Sequence, residues 1–278
     1  MKNLFLSFTY LFFLSVMVSC GPSSTQEEGT DMSDTSNVAQ EEQMGEVTLS
    51  PAPEAVDYSD AILEMSSPAE GETINGNSVS FNYDVTNYEL GVQTSDADQK
   101  PLANSAQGQH IHLILNNNPY YAIYEPTHQM ELDNGHYVAL SFLSRSYHQS
   151  VKHPEAFTIS QFTVGEGESE EVDLSAPMLF YSRPKGTYTG ADAETLLFDF
   201  YLVNTEIGAN GNQVRVTVNG DQEFMVDEWA PMLLEGLPMG ENTVKIELVD
   251  SEGNLIDSPF NSEERTFTLE EATEEPAS

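Results

Sequence analysis

His110-Ile-His-Leu-Ile-Leu-Asn116 and Gln213-Val-Arg-Val-Thr-Val-Asn219 are two runs of one pattern. In the second, Val214, Val216 and Val218 alternate with Gln213, Arg215 and Thr217. That is the period of a strand with one buried face, so the valines are its core set. By position Ile111, Leu113 and Leu115 answer to the valines and point inward. The same alignment predicts that His110 and His112 face solvent.

The correspondence extends on both sides. Ser67-Pro-Ala-Glu-Gly71 answers to Ser182-Arg-Pro-Lys-Gly186, and Phe81 to Gly91 answers to Phe198 to Gly208. Leu132-Asp-Asn-Gly-His-Tyr-Val-Ala-Leu140 matches Leu237-Pro-Met-Gly-Glu-Asn-Thr-Val-Lys-Ile246 with one insertion. Each copy holds about seven short strands in roughly a hundred residues, the count of an immunoglobulin-like sandwich. The fold class expected is all-β: two tandem immunoglobulin-like β-sandwich domains after a disordered acidic stalk. Residues 61–165 form the first domain, 166–176 an acidic linker, 177–270 the second domain and 271–278 an acidic tail.

The start of the chain sets the address. A lysine, an apolar run from Leu4 to Val18 and then Ser19-Cys20-Gly21 read as a secretory signal over residues 1–19. Met17-Val-Ser-Cys20 resembles a bacterial lipobox, which implies a lipid on Cys20 and a membrane partner reached through that lipid. Residues 20–60 carry ten acidic side chains and no Lys or Arg, a composition that predicts a self-repelling, disordered tether. The expected location is the outer membrane of a Gram-negative cell, facing the periplasm or the surface.

Charge and composition exclude several classes. Of 278 residues 46 are acidic and 9 basic, for a net charge of -37, so there is no cationic footprint for nucleic acid. The one cysteine excludes an intrachain disulfide and a thiolate zinc site. No Gly-x-Ser-x-Gly elbow, His-Glu-x-x-His helix or phosphate-cradling loop occurs. No catalytic residue is assigned, and the chain reads as a non-enzyme.

All six histidines fall between His110 and His153, in the first copy only. If His110–Leu115 and Tyr137–Leu143 are neighbouring strands, His110, His112, His148 and His153 meet at one pole, with His136 at the other. Imidazoles two apart on a strand stand about 6.5–7 Å apart at the backbone. Two of them with a third from a loop make a site for Zn or Cu, or else remain solvated side chains. Arg145 and Lys152 share that pole with Tyr147. Together they read as an anion-binding spot for a carboxylate, sulfate or phosphate group on a glycan or peptide, or as charges that balance nearby acids.

Asn117-Asn-Pro-Tyr120, Asn134-Gly-His136 and Ser144-Arg-Ser-Tyr-His-Gln-Ser-Val-Lys152 resemble a family of exported bacterial domains. That family carries a His-x-His strand, an Asn-x-Pro-Tyr turn and a Ser-Arg-Pro-Trp-His-Glu-Ser-x-Lys loop, from which Ser146, Tyr147 and Gln149 depart. Tyr181-Ser-Arg-Pro-Lys-Gly-x-Tyr188 resembles a companion half in related lipoproteins. The resemblance implies an exported β domain and no catalytic role.

Three functional expectations follow. The first is a non-catalytic, envelope-anchored binding or structural lipoprotein with an extracytoplasmic ligand or protein partner. The second is a Cu- or Zn-binding lipoprotein, and the third an accessory to a glycan-processing system.

Overall fold

The structure is a computed structural model that describes residues 46–166 and 171–272. The signal peptide, Cys20, the tether as far as residue 45 and the end of the acidic tail lie outside the described residues.

After β1 (Thr48–Pro51) the chain builds a first sandwich from β2 (Ile62–Ser67), β3 (Glu72–Ile74), β4 (Ser78–Thr86), β5 (His110–Leu115), β6 (Tyr121–Ile123), β7 (Thr127–Glu131), β8 (Gly135–Ser144) and β9 (Phe157–Val164). Its sheets run β2-β4-β7 and β3-β9-β8-β5-β6. The second sandwich uses β10 (Met178–Arg183), β11 (Gly186–Thr189), β12 (Thr195–Val203), β13 (Gln213–Val218), β14 (Gln222–Val226), β15 (Met232–Glu235), β16 (Gly240–Val249) and β17 (Glu263–Glu270). Its sheets run β10-β12-β15 and β11-β17-β16-β13-β14, the same order strand for strand.

The match reaches local detail. Both β3 with β9 and β11 with β17 are parallel pairs in otherwise antiparallel sheets. Asn116 and Asn219 close the equivalent β5 and β13 in the left-handed region, each with φ 50°. Their side-chain oxygens accept the backbone N–H of Val138 and Thr243 respectively. The bond binds the turn to the neighbouring strand and offsets part of the cost of that backbone conformation.

Each sandwich has its own core. Ile111, Leu113 and Leu115 pack with Phe81 and Phe162 in the first, and Val214, Val216 and Val218 with Phe198 and Phe267 in the second. The inward facing of those six aliphatic residues is therefore as their alternation demands.

Two expectations need correction. Residues 46–60 are not all tether: β1 pairs antiparallel with β15, placing Thr48 opposite Glu235 and Pro51 opposite Met232. A segment that precedes the first sandwich thus forms an edge strand of the second, with Val47 buried in its core. The other correction concerns His110 and His112, which do lie opposite the core face of β5 but are both 0% exposed.

The second sandwich covers them, since the two sandwiches form one compact unit. Ile114, Leu140 and Phe142 from β5 and β8 pack on Met178, Phe180, Tyr201 and Val203 from β10 and β12. Strands β5 and β10 are buried along their whole length. The histidines therefore lie in a seam between sheets.

Candidate metal centre

Three imidazoles meet at that seam. Strand geometry puts His110 and His112 on one side of β5, and antiparallel pairing sets His110 opposite Ser144 at the end of β8. The chain then turns back within the loop, with Arg145 N–H donating to Gln149 O and His148 N–H to Arg145 O. His148 occupies the left-handed region at φ 68°, a conformation that costs a non-glycine residue about 1–3 kcal/mol. The turn returns its ring to β5.

The ring nitrogens form a tight set. His110 Nε2 is 2.9 Å from His112 Nε2 and 3.2 Å from His148 Nδ1, and the donor atoms of all three residues lie within 4.8 Å of one another. Bonds of about 2.0–2.1 Å at tetrahedral angles place ligand atoms roughly 3.3–3.4 Å apart, and right angles roughly 2.8–3.0 Å apart. One Zn or Cu ion fits both short separations.

The neighbours fix which nitrogens carry lone pairs. His110 Nδ1 donates to the Gly108 carbonyl at 2.8 Å, so its Nε2 is unprotonated in the neutral ring. Gly108 is at φ 88°, and a Cβ there would sit 2.3 Å from Val92 O. Only glycine lets that carbonyl approach. Tyr120 accepts from Arg183 and lies 3.3 Å from His148 Nδ1. Its own proton then goes to that nitrogen, and His112 Nε2, 2.9 Å from His110 Nε2, is placed to donate to the other lone pair. The three rings are thus linked by hydrogen bonds whose protons a metal ion would replace. His112 Nδ1, 3.3 Å from Ser182 Oγ, has the kind of hydroxyl partner that orients a metal-ligating imidazole.

Burial holds all three rings below the ordinary histidine range, with His110 brought down to about 4. His112 is held well below that range first by burial, then by the His110 and His148 rings and by Arg183 and Lys185. His148 is held there first by burial, then by Arg183, the His110 ring and Lys185. Neutral imidazoles are the ligating form, so near pH 7 no proton competes with a metal ion here.

The other expected site residues lie elsewhere. His153 does not join the cluster, because its Nε2 donates to Tyr58 O at 3.0 Å on the far side of the loop. The three residues read as an anion spot each have partners within the protein. Arg145 is turned inward and donates to the carbonyls of Val56 and Ser150. Tyr147 is 1% exposed and bonds the Asp96 carboxylate at 3.1 Å. Lys152 lies 2.7 Å from Asp199 of β12 and donates to Ser150 Oγ and Phe200 O. Each cation is occupied by protein oxygens, and none faces an incoming anion.

Tyr120, Ser182 and Arg183 were missed as site residues. The Asn117-Asn-Pro-Tyr120 turn and the Ser182-Arg-Pro-Lys185 segment were noticed in the sequence, but nothing there showed that they face each other. The signal available was the apolar run of β12 from Leu196 to Val203, broken only by Asp199, and the apolar residues on both sides of β8. Strands of that kind are covered on both faces.

Fold and site together define a two-domain immunoglobulin-like protein with a three-histidine cluster at the seam of its sandwiches. No protein-family model matches the chain, and no curated protein is similar to it. Among solved structures, the fibronectin(III)-like modules of Clostridium thermocellum CbhA align over 78% of this chain and 98% of theirs, at 12% identity and a TM-score of 0.28. SGBP-B from the mixed-linkage glucan utilization locus of Bacteroides ovatus, in complex with a mixed-linkage heptasaccharide, aligns over 79% of this chain and 72% of its own, at 9% identity and a TM-score of 0.23. The two tandem V-type regions of the chitin binding protein VCBP3 align over 75% and 99%, at 8% identity and a TM-score of 0.22.

Proposed function

We propose that this chain is a non-catalytic, envelope-anchored lipoprotein that binds a Cu or Zn ion through His110, His112 and His148. One observation carries the reading: three neutral imidazoles present nitrogens 2.9 and 3.2 Å apart, with one tautomer pinned by a backbone carbonyl. Donors of this type select Cu and Zn over Mg and Ca. The leader and its lipobox-like end support attachment through Cys20 to the outer membrane. All three ligands belong to the first sandwich, and the second covers them, with Ser182 Oγ 3.3 Å from His112 Nδ1.

The test is a titration of the full-length chain with Cu(II) and with Zn(II), followed by thermal melting. Binding to the folded state alone stabilises by about 2.7 kcal/mol at a hundredfold excess over Kd. The shift should disappear in the variant His110→Ala/His112→Ala and persist in His153→Ala. An unchanged melt with both metals, or a shift that survives loss of His110 and His112, overturns the reading.

A further inference from the structure

We infer that a cleft crossing Trp229 binds an extended basic segment of a partner protein, one in which Lys or Arg alternates with apolar residues. The site is separate from the histidine centre and does not depend on the metal reading.

Two hollows adjoin at Lys152 and Trp229, which line both. The larger, about 730 Å³, has Phe157 of the first sandwich and Leu202 and Glu206 of the second in its walls. The smaller, about 370 Å³, is walled by Glu54 and Asp57 from the segment between β1 and β2, by Gln149 and by Glu228. The indole between them is fixed. Its Nε1 donates to Phe200 O at 3.2 Å, and its ring meets Tyr201 edge-on with centroids 5.0 Å apart. It offers apolar surface that need not be ordered on binding.

The cleft is short of donors. Arg145, Lys152, His153 and Trp229 all direct N–H groups to protein oxygens. The carboxylates have no such counterpart: Glu54, Asp57, Glu206 and Glu228 are exposed, and none is in an ion pair among the described residues. Lys100 donates to the Glu54 carbonyl but pairs with Asp96. Gln149 is 5% exposed and its Oε1 has no partner. Buried acceptors are rarely left so, and an N–H of the occupant supplies the bond.

Charge selects the occupant. Asp199 cancels Lys152, which leaves Arg145 alone against the four carboxylates, on a chain whose net charge is -37. A ligand with many N–H donors and positive charge gains from both, whereas a neutral saccharide gains only hydroxyl contacts. In an extended chain alternate side chains point opposite ways, so apolar ones can rest on Trp229 and Phe157 while cations face the carboxylates.

Trp229 is the one tryptophan of the chain, so the emission of the full-length protein reports from the cleft itself. The titrant is a short tryptophan-free peptide of alternating Lys and Leu. We expect a saturable change in emission, and an affinity at least roughly threefold weaker when salt rises from about 0.05 M to about 0.5 M. Glu206→Gln/Glu228→Gln removes a carboxylate on each side of Trp229 and should weaken binding roughly threefold to tenfold. Glu241→Gln/Glu252→Gln makes the same change of charge at exposed positions outside the cleft and should bind as the unaltered chain does. No change in emission, or equal weakening in the two double variants (the mark of general attraction to an acidic protein), overturns the site. A response to a neutral glucan oligosaccharide that matches the peptide's overturns the basic segment as its occupant.

Discussion

The ammonium of Lys152 lies 2.7 Å from the carboxylate of Asp199, one on the first sandwich and one on the second, with side chains 9% and 0% exposed. Ser150 N–H donates to the other Asp199 oxygen at 3.1 Å, so the loop after β8 docks on β12 through charge and backbone together. Burial lowers the Lys152 pKa while Asp199 raises it. Removing one partner of such a pair strands the other, and Lys152→Met should cost about 3–5 kcal/mol. The double variant Lys152→Met/Asp199→Asn keeps an acceptor for Ser150 and should recover more than half of that loss. Denaturant titration of the two single variants and the double one measures the coupling.

The same loop shows what the sequence could and could not disclose. Alternation in β13 gave the core face of β5, and the paired motifs gave two copies of one sandwich, because both depend on neighbours along the chain. The burial of His110 depends instead on β10 and β12, which follow it by more than sixty residues. Arg145 and Lys152 looked like a surface patch because their partners, Val56 O and Asp199, are also remote in sequence. His148 was placed correctly beside His110, since antiparallel β5 and β8 bring their ends to one pole. His153, five residues further along, had already turned away toward Tyr58.

Gly108 should govern metal affinity although it touches no ion. Alanine there would drive its Cβ to 2.3 Å from the Val92 carbonyl and hold a non-glycine residue at φ 88°. The chain must shift, and with it the carbonyl that fixes the His110 tautomer. Gly108→Ala is expected to destabilise by about 1–3 kcal/mol and to weaken Cu(II) binding by roughly tenfold to a hundredfold. A metal titration on protein still folded by circular dichroism separates the two effects.

Acid should unfold the metal-free protein earlier than burial alone would suggest. In the unfolded chain the imidazoles take up protons at the ordinary histidine value, about 6.5, whereas folded His110 does so only at about 4. Between those values the unfolded state binds more protons, so stability rises with pH and falls on acidification from 6.5 toward 4. The slope is at most about 1.4 kcal/mol per pH unit for each such ring. His112→Phe, which keeps a ring against Tyr120, should show a shallower decline over that window. Equal slopes for the two proteins, measured by denaturant melts at each pH, would count against neutral burial of His112.

A chain that begins at residue 60 should be measurably weaker than the full-length one. Without β1 the strand β15 becomes an open edge, and Val47, 6% exposed, leaves the second core. Burying such a side chain contributes about 1.5–3 kcal/mol. Arg145 also loses Val56 O, which accepts from both Nε and Nη2, and an unsatisfied buried donor costs about 1–3 kcal/mol. The expected total is about 3–5 kcal/mol, with a tendency to self-associate through the freed edge. Denaturant midpoints and light scattering of the two chains check both parts. Equal stability would mean that β1 merely rests on β15.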